Sequence, residues 1–157
     1  MAQPIPKGYQ SVTPGLTVRD GAKAIEFYKQ AFGAKEISRM AAPGGKIVHA
    51  ELQIGDSRIM LGDEFPGGAR SPISLGGTSV SLYVYFADVD SAFQQAVAAG
   101  AKADMAPTDM FWGDRYAKVT DPFGHFWGLA THTKDVTPEE MQKGAEAMFA
   151  HMKTQHA

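Results

Sequence analysis

Cysteine is absent from the 157 residues, which removes disulfides, thiolate zinc sites and a cysteine nucleophile together. An excess of one charge is missing too. The 15 Lys and Arg against 17 Asp and Glu leave a formal net charge of −2, no electrostatic basis for nucleic acid or an anionic membrane. No apolar run approaches the roughly 20 residues that a spanning helix needs. The opening MAQPIPKGYQ has no apolar h-region, so a cytoplasmic chain without a secretory signal is expected. What is present, 44% hydrophobic and 20% charged residues, is the balance of an ordinary globular chain. The length allows one domain, or two small halves sharing a sheet.

Turn and cap chemistry divides the chain. Residues 1–10, with Pro4 and Pro6, read as an irregular N-terminal arm. Residues 11–64 read as a first module. It opens with a strand over Ser11–Val18 and an N-cap at Asp20. A helix over Ala22–Phe32 carries the stripe Ala24, Ile25, Tyr28 and Phe32, and Gly33 stops it. Strands follow over Ala34–Met40, Val48–Ile54 and Arg58–Gly62, with Val48, Ala50, Leu52 and Ile54 assigned to the buried side. Residues 65–78, rich in Gly, Pro and Ser, read as a linker loop.

Residues 79–132 repeat the pattern. A strand over Ser79–Phe86 leads to an N-cap at Asp88, a helix over Ala92–Ala99 and a stop at Gly100. A hairpin over Tyr116–Leu129 follows, turned by Asp121-Pro122-Phe123-Gly124. Gly33-Ala34-Lys35 returns as Gly100-Ala101-Lys102 with the elements in the same order, so the chain reads as a duplication. Residues 133–157 form a helical tail opened by the capping box Thr137-Pro138-Glu139-Glu140. Its stripe Met141, Ala145, Met148 and Met152 suits packing on its own domain or on a second copy.

The fold class that follows is α+β: two paired βαβββ modules forming a curved mixed sheet around a cup, with helices on the outer face and an extra C-terminal helix. The strand positions turned away from the helices include Thr13, His49, Glu51, Met60, Ser81, Tyr83, Tyr85, Tyr116, Phe126 and Gly128. They line a small-molecule cup or a solvated sheet face. His49 and Glu51, two apart on a strand, point the same way. Three readings stay open for them: a metal site joined by His125 or His132, an acid–base pair, or plain polar lining. Trp112 and Arg115 suit stacking on a flat ligand and holding its carboxylate or phosphate. In the other reading Asp114 and Arg115 pair to lock the loop, and Trp112 plugs the rim.

The run Leu16-Thr17-Val18-Arg19-Asp20 leading into Ala24-Ile25-Glu26-Phe27-Tyr28, the module order and Asp121-Pro122-Phe123-Gly124-His125 together resemble the vicinal oxygen chelate superfamily. That group holds glyoxalase I, extradiol dioxygenases, and fosfomycin- and bleomycin-resistance proteins. His49-Ala50-Glu51 and the stretch Phe111-Trp112-Gly113-Asp114-Arg115-Tyr116 look most like its PhnB-like branch. The resemblance covers residues 11–132 and implies paired modules with U-shaped sheets, usually in a homodimer. It places the family's metal-ligand positions on Thr13, Met60, Ser81 and Gly128. None of these is a competent ligand, so no family-type metal and no cofactor is expected, a relocated divalent ion being left open.

The function expected is metal-independent binding of a small aromatic or amphipathic molecule in the cup. Met60, Tyr83, Trp112, Tyr116 and Phe126 would give apolar contact, and Arg115, Glu51 and His49 would orient the ligand. The alternative is a lyase- or isomerase-type enzyme using His49 and Glu51, with or without a relocated divalent metal. The expected partners are a small-molecule ligand and a second copy in a homodimer, with neither nucleic acid nor membrane.

Overall fold

The computed structural model describes residues 2–155. The first half runs β1 (Gly15–Val18), α1 (Gly21–Phe32), β2 (Lys35–Ala41), β3 (Ile47–Ile54) and β4 (Ser57–Asp63). A short helix, α2 (Pro72–Leu75), follows. The second half runs β5 (Ser81–Tyr85), α3 (Val89–Ala99), β6 (Lys102–Asp109), β7 (Asp114–Thr120) and β8 (Phe126–His132), and α4 (Pro138–Gln155) closes the chain. Two four-stranded mixed sheets result, ordered β1-β4-β3-β2 and β5-β8-β7-β6. In each, the first strand lies parallel to the last and the other pairs are antiparallel. The architecture is therefore α+β with two βαβββ halves, as the repeat predicts, but the sheets remain two separate ladders.

Cap chemistry sets both long helices. The Asp20 carboxylate accepts from the Lys23 N–H at 3.1 Å, and Gly33 ends α1 at φ +66°. Asp88 accepts from the N–H groups of Asp90 and Ser91, so α3 begins at Val89, three residues before the expected start. The Val89 N–H itself donates to Thr131 Oγ1 at 2.8 Å. A second carboxylate that the pattern did not flag, Asp63, accepts from the backbone of Gly21 at 2.9 Å and of Ile47 at 2.7 Å. It ties the start of α1 to the start of β3.

Two further expectations need correction. Pairing slips between Met40↔His49 and Ala41↔Ile47, so Ile47 is 1% exposed and Val48, assigned to the buried side, is 47% exposed. Residues 65–78 are not a bare loop. Ser71, fully buried, caps α2, its N–H donates to Glu64, and Arg19 Nε donates to Ser74 Oγ at 3.1 Å. Pro107 is tolerated within β6 because that strand lies at a sheet edge and slips register there. Among the described residues no helix is long and apolar enough to cross a membrane.

The helices join the halves. One hydrophobic core runs from Leu16, Ile25 and Leu52 through Tyr28 and Phe32 to Trp127 and Leu129. Phe32 of α1 meets Trp127 of β8 at 4.6 Å between centroids, and Gln95 of α3 donates to the Gln30 carbonyl of α1 at 2.7 Å. At the centre is Asp121, 4% exposed. Its carboxylate accepts from Tyr28 Oη at 2.6 Å, Trp127 Nε1 at 2.8 Å, and the Phe123 and His125 N–H groups at 2.9 Å each. The same residue opens the expected β-turn, whose Gly124 sits at φ +88°. Burial, then the Asp121 charge, pushes the Tyr28 hydroxyl well above its usual pKa, so it stays a donor.

Replacing Asp121 by Ala strands two buried donors from opposite halves. A loss of about 3 kcal/mol or more in urea unfolding is expected, from roughly 1–3 kcal/mol per buried unsatisfied group. Tyr28→Phe removes one bond of four and should cost about 1 kcal/mol. Equal losses for the two variants would show that the carboxylate is not the joint.

Candidate functional site

The two sheets present different chemistry. On the second, Tyr83 (β5) and Tyr116 (β7) stack at 5.2 Å with an 11° tilt, across the intervening strand β8. Gly128 on β8 makes this possible: a Cβ there would stand 2.7 Å from Tyr116 Cε2 and 3.1 Å from Tyr83 Cδ2. Tyr85 adjoins Tyr83 at 5.3 Å, and the Trp112 indole meets Tyr116 edge-on at 5.8 Å. Tyr83 is 44% and Phe126 39% exposed, so the aromatic face is open. Trp112 is placed by its neighbour. The Gly113 carbonyl accepts from Thr133 and Lys134 N–H at 2.9 and 3.0 Å, and a Cβ on Gly113 would collide with the Lys134 carbonyl. The next residue towards the N-terminus, Phe111, lies under α4, where Gly144 lets the helix approach.

Asp114, 3% exposed, anchors the polar end of this face. Its Oδ2 accepts from Tyr83 Oη at 2.8 Å and Tyr85 Oη at 3.0 Å, and its Oδ1 meets His132 Nδ1 at 2.8 Å. His132 Nε2 reaches Asp135 at 2.9 Å. An imidazole between two carboxylates satisfies both only as the cation, donating from each nitrogen. Asp135 first, then Asp114, accordingly raises the His132 pKa. Burial pushes the Asp114 carboxyl up, but the bonds from His132, Tyr83 and Tyr85 outweigh it and the net shift is down. The Tyr83 hydroxyl is raised, by burial first and by its bond to Asp114.

Arg115 lies elsewhere. Strand β7 begins at Asp114, so alternation puts Asp114 and Tyr116 on the aromatic face and Arg115 on the helix side. There its Nε and Nη2 grip Asp90 at 2.6 and 2.9 Å and its Nη1 reaches Asp109 at 3.1 Å. Neither expected role, ligand clamp or partner of Asp114, matches this placement.

On the first sheet His49 Nε2 lies 3.4 Å from Glu51 Oε1, and Glu51 pairs across the ladder with Met60. The arm covers this face: Pro4, Pro6, Tyr9 and Thr13 with Glu51 and Met60 enclose a hollow of about 440 Å³. Tyr9 is the largest influence holding the Glu51 carboxyl below its usual pKa, followed on the same side by His49. His125 and His132 do not join the pair. His125 Nε2 bonds to the Thr17 carbonyl at 3.0 Å, and His132 is held as above. Glu51 and Met60 line a different hollow from Tyr83, whose own cleft takes residues from β4 of the first sheet as well as β5 of the second.

Of the family's metal positions, Thr13 and Met60 face the arm hollow, Ser81 pairs with Phe126, and Gly128 lies under the tyrosine rings. Among the described residues no group of three His, Cys, Asp or Glu is arranged to hold a metal ion. These positions do not fit one. A hydroxyl, a thioether and a glycine make no donor set, and rings fill the space above Gly128.

The comparisons agree with this geometry at the level of fold. The chain is 44% identical over 136 residues to protein Mb0911c of Mycobacterium bovis, covering 84% of this chain and 90% of that one. The crystal structure of TioX from Micromonospora sp. ML1 matches with TM-score 0.61 at 28% identity, covering 78% of this chain and 98% of that one. A PhnB protein from Bacillus cereus matches with TM-score 0.60 at 20% identity over 78% of this chain and 99% of that one, a likeness of fold alone. The family model of the glyoxalase/bleomycin resistance protein/dioxygenase superfamily matches residues 10–129, so the protein belongs to that superfamily.

Proposed function

We propose that the protein binds a small aromatic or amphipathic molecule, without a metal, on the aromatic face of its second sheet. The observation that carries this is the open Tyr83–Tyr116 stack over Gly128, flanked by Trp112 and Phe126 and ending in the Asp114 network. Flat apolar area beside a few fixed polar groups is the make-up of small-molecule sites. A ligand donor group would meet the Asp114–Tyr83–Tyr85 end, and its rings would extend the stack. We further propose a cytoplasmic homodimer. Met141, Phe149 and Met152 on α4 leave an exposed apolar stripe that a second copy would cover.

A second reading rests on the His49–Glu51 contact. Glu51, held ionised beside Tyr9, would orient His49 as a proton carrier in a lyase- or isomerase-type reaction, with or without a divalent ion. His49→Ala and Glu51→Gln separate the readings: aromatic binding persists in both variants under the first, and turnover disappears under the second.

Trp127 is 1% exposed, so fluorescence changes on titrating flat aromatic compounds should come from Trp112. Quenching is expected in the native chain, and Trp112→Phe should remove the Trp112 part of it, leaving only what Trp127 beside the inter-sheet cleft contributes. Tyr116→Ala should weaken binding about tenfold, the equivalent of about 1.4 kcal/mol. Silence across a varied aromatic panel overturns the proposal.

His132 offers a pH test. A raised pKa means its contribution to stability is complete below the unfolded value near 6.5 and fades as pH rises through the folded value. Proton NMR of the imidazole should show titration above 6.5, moving down in Asp135→Asn. An unshifted titration in the native chain would break the network argued above.

A further inference from the structure

We infer that the cleft between the two sheets is a binding site for an amphipathic organic anion, with Arg58 as its charge anchor. The cleft measures about 700 Å³, within the range of small-molecule sites. Phe32, Ile59, Leu82, Val84, Phe86 and Trp127 supply its apolar lining. These side chains belong to both halves, so a flat apolar body there would touch each module. Two charged residues reach this cleft. Asp56 accepts from Ser57 Oγ at 3.0 Å. Arg58 is different: its Nε and Nη1 are buried and meet no hydrogen-bond acceptor among the described residues.

Two guanidinium nitrogens shut from water without an acceptor are costly, and a ring beneath them repays only part. The Tyr9 ring lies 5.6 Å from Arg58 Cζ, a cation–π contact of about 0.5–2 kcal/mol by general experience. A Cβ on Gly8 would stand 3.0 Å from Nη2, so the arm packs directly on the fork. The arm is lightly tied. Residues 2–14 form neither helix nor strand; the Tyr9 N–H to Pro6 carbonyl bond at 3.1 Å closes its turn, and the Met60 N–H holds its far end at the Pro14 carbonyl at 2.9 Å. Exchange of the Tyr9 ring for a carboxylate or sulfonate gives the guanidinium a charged acceptor for one of its idle donors. The apolar body then fills the seam. Tyr83 and Tyr85 border both this cleft and the aromatic face, but the Arg58 anchor and the lining named here lie outside the Tyr83–Tyr116 stack.

The test uses 8-anilinonaphthalene-1-sulfonate and its uncharged counterpart N-phenyl-1-naphthylamine. Titrations are run on the full chain carrying Trp112→Phe and Tyr116→Ala. That background disables the aromatic face and leaves Trp127, which lines the cleft, as the one indole. Saturable energy transfer from Trp127 to one dye per chain is expected. Adding Arg58→Gln should weaken the sulfonate about tenfold or more and leave the uncharged dye unchanged. Leu82→Trp, read by dye emission, should abolish both. Val84→Phe replaces it if circular dichroism shows that Leu82→Trp does not fold. No saturable transfer, a sulfonate affinity indifferent to Arg58→Gln, or dye binding that survives the cleft-filling variant overturns the proposal. Should the background variant not fold, the Arg58→Gln difference between the two dyes is read in the native chain, with the same outcomes.

Discussion

One carboxylate sits where the two halves meet. Asp121 belongs to a turn between strands of the second half, yet its shortest bond goes to Tyr28 on the helix of the first. Among the described residues no strand of one sheet pairs with a strand of the other, so the usual backbone ladder does not fasten the modules. Side chains do it: the Tyr28 and Trp127 donors on Asp121, the Phe32–Trp127 contact, and the packing of α1 on α3. A buried carboxylate is tolerable there because four donors surround it. The turn gains order from the same bonds, since two of the four come from its own backbone.

The chemistry of each face follows from strand parity and from small residues placed under large ones. Gly128 gives up its side chain so that two rings can close over it. Asp114, one residue before Arg115, faces the rings while Arg115 faces α3. A shift of one position would exchange their surroundings, the general property of a strand with one side buried. Charge on the aromatic face is thereby negative and enclosed, and the positive fork is used up in holding Asp90 at the first turn of α3.

Much of the scaffold can be read from the residues alone. Asp20, Gly33, Asp88 and Gly100 mark both helices because capping is local, and the repeated order of elements gives the two halves. The aromatic set Tyr83, Tyr116 and Phe126 is legible from alternation. Other features depend on contacts remote in sequence. The first residue of β7 is set by pairing with His132, so the side of the strand that Arg115 takes is not written in its neighbours. The slip that hides Ile47 and exposes Val48 is a bulge against β2. Asp121 looks like an ordinary turn residue until Tyr28, far earlier in the chain, is known to reach it. Asp114 offered one signal, an acidic residue among aromatics, and it is the His132–Asp135 partnership that shows what the acid does.

The unpaired seam between the sheets sets how the molecule can change. Register within each ladder is quantised, because a strand moves by whole residues or not at all. The angle between the ladders has no such steps. It is set by side-chain contacts: Tyr28 and Trp127 on Asp121, Phe32 on Trp127, and Gln95 of α3 on the Gln30 carbonyl of α1. Substitution among those few side chains is therefore the route by which the cleft between the ladders can change width while every strand keeps its neighbours.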